Sequence, residues 1–362
     1  MKNRVISVLL IFVLVFSGTS CSVSRQDNAD GATKAVVDCF DRTVQIPENP
    51  KRVTCMYAST AHMMAMLGKE NLIVGCVDGI KRDVYMRYRI PDIDSLNEPY
   101  QNGSVNAEEL ASMDTDLVLL RSDVAMSESE MEKLDKLGIP YVVVDYYSVD
   151  QLKRAVTLMG EIFDEQERAA AYIGFMEDTF RLVSDKVSVI KQDDRYRVYH
   201  SLTEATKTDV KGSICGEIMD VAGIVDVSIE NGLTSTQKNT TTTLEEIYSW
   251  DPYAIVANEY LVADYIRAQK KWQGLTAVKE NRVYTLPIGV TRWCHHGSME
   301  PHMGSLFLAE LFYPDLFSDF DMNSYIKDYY EKFFGLTLDD NDLKGLLDGT
   351  GMRKLNPSLK ME

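Results

Sequence analysis

The sequence holds no CxxC pair, and it lacks a GxSxG turn, an HExxH helix signature and a glycine-rich phosphate loop. Those absences remove the common signatures of serine hydrolases, zinc proteases and nucleotide-binding folds. Basic residues are scarce as well: 38 Lys and Arg face 55 Asp and Glu, a net charge of −17. A surface of that sign repels nucleic acid and anionic lipid headgroups, so neither is an expected partner. Nor is there an apolar run of the ~20 residues that a helix needs to cross a bilayer. The apolar stretch Val5–Phe16 holds only 12. What is present is ordinary globular material, 45% hydrophobic and 26% charged over 362 residues. That suffices for two domains without extensive disorder.

Lys2 and Arg4 precede the apolar stretch, and the small residues Ser17, Gly18, Thr19 and Ser20 follow it. Charged flank, short apolar core and small-residue end describe a cleaved export signal over residues 1–20. Cys21, directly after the small residues, resembles the lipobox cysteine of bacterial lipoproteins, with Gly18 where Leu is usual. The resemblance implies that Cys21 is acylated and anchors the mature chain to the membrane. Residues 21–36, beginning SVSRQDNADGAT after the cysteine, read as a flexible tether. Cleavage removes two bases and no acid, which takes the net charge from −17 to −19. Five cysteines remain, Cys39, Cys55, Cys76, Cys215 and Cys294, and their spacing fixes no disulfide framework. They are read as small buried apolar residues.

Short β-branched runs, each followed by a helix-like segment, recur along the chain: 52–56, 72–77, 116–120 and 141–145, then 196–200, 254–258 and 282–286. Alternation of this kind predicts an α/β fold with parallel sheets in two lobes, residues 37–163 and 192–347, before a C-terminal tail at 348–362. Between the lobes, Ile173, Met176, Phe180, Val183, Val187 and Ile190 keep one apolar face. They predict a single long connecting helix over 164–191 with Asp164 as N-cap, about 39 Å from Glu165 to Ile190. The halves also echo each other. NAEELASMDTDLVLL (106–120) aligns with TLEEIYSWDPYAIVA (243–257), each reading as a short helix, a turn carrying Asp and a buried strand.

DCFDRTVQIPENPKRVTCMYASTAHMMAMLG (38–68), the two echoed segments, GIPYVVVDYYSVDQLKRAVTLMGEIF (138–163), KGSICGEIMDVAGIVDV (211–227), WQGLTAVKENRVYTLP (272–287) and LAELFYPDLF (308–317) resemble, in order and spacing, the class III periplasmic binding proteins. That family serves ABC importers of ferric siderophores, haem and cobalamin. The resemblance implies two Rossmann-like lobes joined by a rigid helix, with a ligand cleft between them. It also implies a role as an extracytoplasmic, monomeric binding protein rather than an enzyme, and as the partner of a permease dimer and its ATPase subunits. No permanent cofactor is implied, since the metal chelate is cargo. His62 stands where many members carry Glu.

In open α/β sheets ligands sit beyond the carboxyl ends of the strands. Reading just past each expected strand gives Met56, Tyr57, Arg121, Tyr146, Tyr147, His200, Glu259, Tyr260, Arg292, Trp293, His295 and His296 as candidate cleft residues. Aromatic rings suit a broad ligand body, and Arg forks pair with anionic oxygens, as on a ferric siderophore, haem or a corrinoid. Arg292 and Trp293 are expected to tolerate alanine without unfolding but with loss of affinity. His295 and His296 are the candidate metal ligands, and helix capping by the histidines near Pro301 is the plainer alternative. The family docks on its permease through acids on each lobe, which by symmetry makes Glu108, Glu109, Glu245 and Glu246 candidates; such acids also favour a helix's first turn in their own right. The competing functions are a metal-chelatase-like or other cell-surface enzyme on the same scaffold, and an adhesive lipoprotein.

Overall fold

The computed structural model describes residues 31–233 and 240–352. The expected export signal and Cys21 lie outside them. The described chain opens on an antiparallel hairpin, β1 (Thr33–Val37) and β2 (Thr43–Pro47), in which Val36 and Ile46 are buried while most of their neighbours stay accessible. Strand β1 therefore begins inside the stretch expected to be tether, because Thr33–Val37 has a pairing partner in Thr43–Pro47.

The first lobe follows with β3 (Val53–Cys55), α1 (Ala58–Met66), β4 (Ile73–Cys76), α2 (Ala107–Ser112), β5 (Leu117–Leu120) and β6 (Tyr141–Val143). All four sheet strands are parallel, in the order β4-β3-β5-β6. Helices α3 (Val149–Phe163) and α4 (Gln166–Val187) then lead to the second lobe. There, β7 (Arg197–Ser201), α5 (Ile214–Val221), β8 (Val225–Asp226), α6 (Leu244–Trp250), β9 (Ala254–Ala257) and β10 (Val283–Thr285) build a second parallel sheet in the order β8-β7-β9-β10. Counted from each lobe's first strand, both sheets have the order 2-1-3-4. Every residue of β5 and of β9 is buried, as expected of parallel strands covered on both faces.

The sequence echo is a structural one. Asn106 caps α2 by accepting from the Glu109 amide, and Thr243 and Glu246 form a reciprocal capping box on α6. Asp114 and Asp251 follow those helices with left-handed backbone, φ 48° and 38°, turning the chain into β5 and β9. Asp tolerates that region better than most residues.

The same tolerance corrects the expected connecting helix. Asp164 is not its N-cap; it closes α3 with φ 56°, and α4 starts at Gln166. Helix α4 has 22 residues, about 33 Å at 1.5 Å per residue. At the elbow a Cβ on Gly160 would lie 2.8 Å from the Ala169 Cβ, so only glycine lets α3 and α4 approach this closely. The expected stripe holds: Met176, Val183 and Val187 are fully buried, with Ile173, Phe180 and Ile190 packed beside them.

Beyond the second sheet, α7 (Pro301–Phe312) packs on α4, and α8 (Met322–Phe334) returns to the first lobe. Phe334 meets Tyr85 edge-on at 5.4 Å, Arg168 donates to the Phe333 carbonyl, and the Val84 amide donates to the Met352 carbonyl. The chain thus crosses between lobes more than once.

His302 on α7 is sealed in the core, with Tyr172, Phe175, Phe180 and Tyr329 around it at centroid distances of 5.1–6.3 Å. Neither ring nitrogen has a hydrogen-bond partner among the described residues, and burial pushes the imidazole down to about 3. The unfolded chain, titrating near 6.5, then binds more protons than the folded one between those values, so stability falls as pH drops through that window. His302→Leu is expected to remove about 2 kcal/mol of the stability difference between pH 7 and pH 5. Urea unfolding at the two pH values measures it, and an unchanged difference would overturn the assignment.

Candidate functional site

The order 2-1-3-4 places a topological switch point between the first and third strands of each sheet, where helices leave for opposite faces and a crevice opens. In the first lobe this point is the carboxyl end of β3 and β5, which delivers Tyr57 and Arg121. The Arg121 guanidinium lies over the Tyr57 ring at 5.4 Å. Burial is the main force raising the Tyr57 phenol above its usual range, and the charge of Asp145 adds to it. The phenol therefore stays protonated. Asp145, just beyond β6, accepts from the Ser122 hydroxyl and amide, and Tyr147 shares the Ser122 hydroxyl at 3.0 Å. One buried carboxylate thus fixes the ends of two neighbouring strands.

In the second lobe the switch point lies between β7 and β9. Glu259 stands at the N-cap position of the helix Tyr260–Ala268, makes no capping hydrogen bond with its side chain, and is buried. Its Oε1 accepts from Nε and Nη2 of Arg292. Arg292 opens a tight loop that ends at α7. The loop is closed by Glu300, whose buried carboxylate accepts from the Thr291 amide and hydroxyl and from the Tyr330 hydroxyl. His295 and His296 stand next along the loop with ring centroids 5.3 Å apart. Burial raises the Glu300 carboxyl, opposed by its hydrogen bonds to Tyr330 and Thr291.

The two switch points meet. Ser59, in the first turn of α1, donates to the Gly297 carbonyl at 2.9 Å, and the contact spans 238 residues of sequence. A Cβ on Gly297 would lie 3.0 Å from both the Ser59 hydroxyl and the Tyr57 hydroxyl, so glycine permits this closeness. A second bridge joins the lobes at the start of α3, where the Val149 amide donates to the Glu217 carboxylate at 2.7 Å.

The structure sorts the residues expected from sequence. Tyr57, Arg121, Tyr147, Tyr260, Arg292 and His295 are half-buried at strand ends or in the loop. Met56, Tyr146, His200 and His296 are buried. Trp293 departs from expectation: it is 1% exposed, and its indole N–H donates to the Tyr330 hydroxyl at 3.1 Å inside the core. Of the echoed acids, Glu246 is held in its helix's capping box, and the Glu109 carboxylate accepts from the Glu98 amide and the Asn106 side-chain amide. Glu108 and Glu245 are exposed, and their side chains make no hydrogen bond among the described residues. Ser59, Ser122 and Asp145 were missed as site residues, although reading two positions further past each strand would have reached the serines.

Residues 53–288 match the sequence profile of the family described as periplasmic binding protein. The molybdate-binding protein MolA of Haemophilus influenzae is 24% identical over 339 residues, spanning 87% of this chain and 95% of its own. MolA bound to molybdate superposes with a TM-score of 0.74 at 20% identity, covering 84% of this chain and 99% of MolA. A periplasmic solute-binding protein of Veillonella parvula gives 0.73 at 23% identity (87% and 97% covered), and Helicobacter pylori CeuE with Ni(II) bound gives 0.71 at 18% (87% and 99% covered).

The geometry separates Arg292 from its neighbour. Trp293→Ala is expected to cost about 3–5 kcal/mol, as a buried aromatic lost from a core does. Arg292→Ala combined with Glu259→Gln, which leaves no buried carboxylate unpaired, should cost much less. Thermal unfolding of the two variants checks this, and equal melting temperatures would refute it.

Proposed function

Because the chain belongs to the periplasmic binding protein family, the non-catalytic solute-capturing components of ABC import systems, we propose that it takes up a compact, anionic, metal-containing solute between its lobes. The observation that carries this reading is the matched pair Arg121 and Arg292, one at each lobe's strand ends. Asp123 and Glu259 each engage only the Nε–Nη2 edge of their arginine, and neither Nη1 has a hydrogen bond among the described residues. Each guanidinium is therefore oriented and still has donors for an anionic oxygen, the geometry that recognises oxyanions and carboxylates. The bridge from Ser59 to Gly297 favours a small solute: with the lobes already touching there, a metal oxyanion or a compact ferric siderophore suits the cleft better than the broad rings of haem or a corrinoid. A molybdate-bound and a Ni(II)-bound protein among the similar structures agree with that class.

Calorimetric titration of the mature protein with molybdate, tungstate, a ferric catecholate chelate, haem and cobalamin tests the reading. Saturation at one equivalent by one of the first three is expected, with affinity reduced at least tenfold, about 1.4 kcal/mol, in Arg292→Ala. Saturation by haem or cobalamin, or by none of the five, would overturn it.

Delivery to the permease dimer follows from the same reading. Glu108 and Glu245 occupy equivalent, exposed first-turn positions in the two lobes, so one acid is available for each permease subunit. Acylation of Cys21 would keep the protein at the membrane as a monomer. Reversing both charges, Glu108→Lys with Glu245→Lys, should lower cellular uptake roughly tenfold through like-charge contact while solute affinity stays unchanged. Uptake at the wild-type rate would refute the docking role.

A further inference from the structure

Behind the second lobe's strand ends lies a sealed polar cluster that the cleft reading does not use. His200 comes from β7, Asp209 from the segment after strand Lys207–Thr208, and Cys215 from the first turn of α5. His200 is 1% exposed and the other two are not exposed at all. One candidate donor atom from each of the three lies within 4.8 Å of the others. The His200 Nδ1 is paired with Asp209 Oδ2 at 2.5 Å. That pairing leaves His200 Nε2 and Asp209 Oδ1 buried without a hydrogen-bond partner among the described residues. Close by in charge, Asp226 spends Oδ1 on Ser228 and Ile229 and leaves Oδ2 bare, and both amide atoms of Asn258 are likewise unpartnered. Native proteins rarely leave buried polar atoms unmatched, and a gathering of them in one place asks for a bound species.

We propose that His200, Asp209 and Cys215 form a divalent transition-metal site buried inside the second lobe. One imidazole, one carboxylate and one sulfur make a mixed donor set. It fits zinc, nickel or cobalt, and it does not fit magnesium or calcium, which require oxygen ligands throughout. On binding, the metal replaces the proton between His200 Nδ1 and Asp209, that proton and the one on the Cys215 thiol leave to solvent, and the nitrogen, the carboxylate and the sulfur each give an electron pair to the metal. The thiolate and the Asp209 carboxylate then balance the two positive charges. Three protein donors leave a fourth tetrahedral position, for which Asp226 or Asn258 is at hand. The metal would tie β7, the segment 202–213 and the start of α5 together, stiffening the strand ends from behind.

Cobalt(II) is the probe. The mature protein, dialysed against a chelator and then against buffer, is titrated with cobalt chloride and followed by absorption. Saturation at one equivalent with a thiolate-to-cobalt charge-transfer band in the near ultraviolet is expected. Cys215→Ser should abolish the band, and Asp209→Asn should weaken cobalt binding at least tenfold. A wild-type spectrum without a thiolate band overturns the proposal whatever the folding of the variants, and so does a band that survives in Cys215→Ser. Cobalt titration needs no cargo solute, so its outcome stands apart from the calorimetry of the cleft.

Discussion

The arrangement rests on a constraint of parallel sheets: the strands all end on the same edge, and at the switch point no helix covers that edge. Each lobe meets the constraint in the same order, 2-1-3-4, and Ser59, just past the first strand of the first lobe, touches the Gly297 loop of the second. What the sequence then places there decides the chemistry. In the first lobe it is a tyrosine beneath an arginine, and in the second an arginine on a buried glutamate. The α3–α4 elbow keeps these edges in register, and the Gly160 contact lets the two helices pack closely enough to act as one strut.

Charges at the meeting point are arranged so that none is stranded. An arginine with no carboxylate would repel its neighbours and sample many rotamers, whereas one fully enclosed by carboxylates would have nothing left to offer. Asp123 and Glu259 each hold one edge. Such an arginine is oriented before a solute arrives, which lowers the entropy lost on binding. Glu300 serves the loop in a similar way from within the core: by accepting from Thr291 and Tyr330 it fixes the chain that carries Arg292 and the paired histidines.

Much of this was legible from residue order. The seven β-branched runs are the main sheet strands, because buried parallel strands leave an unbroken apolar run that composition alone reveals. The echo of 106–120 in 243–257 reported real repetition down to the left-handed Asp114 and Asp251. Strand β8 escaped notice since two residues, Val225 and Asp226, carry no periodicity. Asp164 reads equally well from sequence as the cap of the helix that follows or of the one that precedes, and only its backbone angle distinguishes them. Strand ends told where a residue lies along the chain but not on which side of the sheet it falls. Trp293 and His200 therefore read as cleft residues although they face inward. The grouping of Asp209 and Cys215 with His200 depends on how the loop after β7 folds back, which no local pattern encodes.

The return of α8 and of residues near Met352 to the first lobe has a mechanical consequence. A pair of lobes joined by one hinge can swing wide, but lobes laced together by a strut and a returning helix have only a shallow rocking mode. Solute would then enter and leave through a modest parting of the rims rather than a gaping jaw. Release would depend on a permease prising that narrow gap.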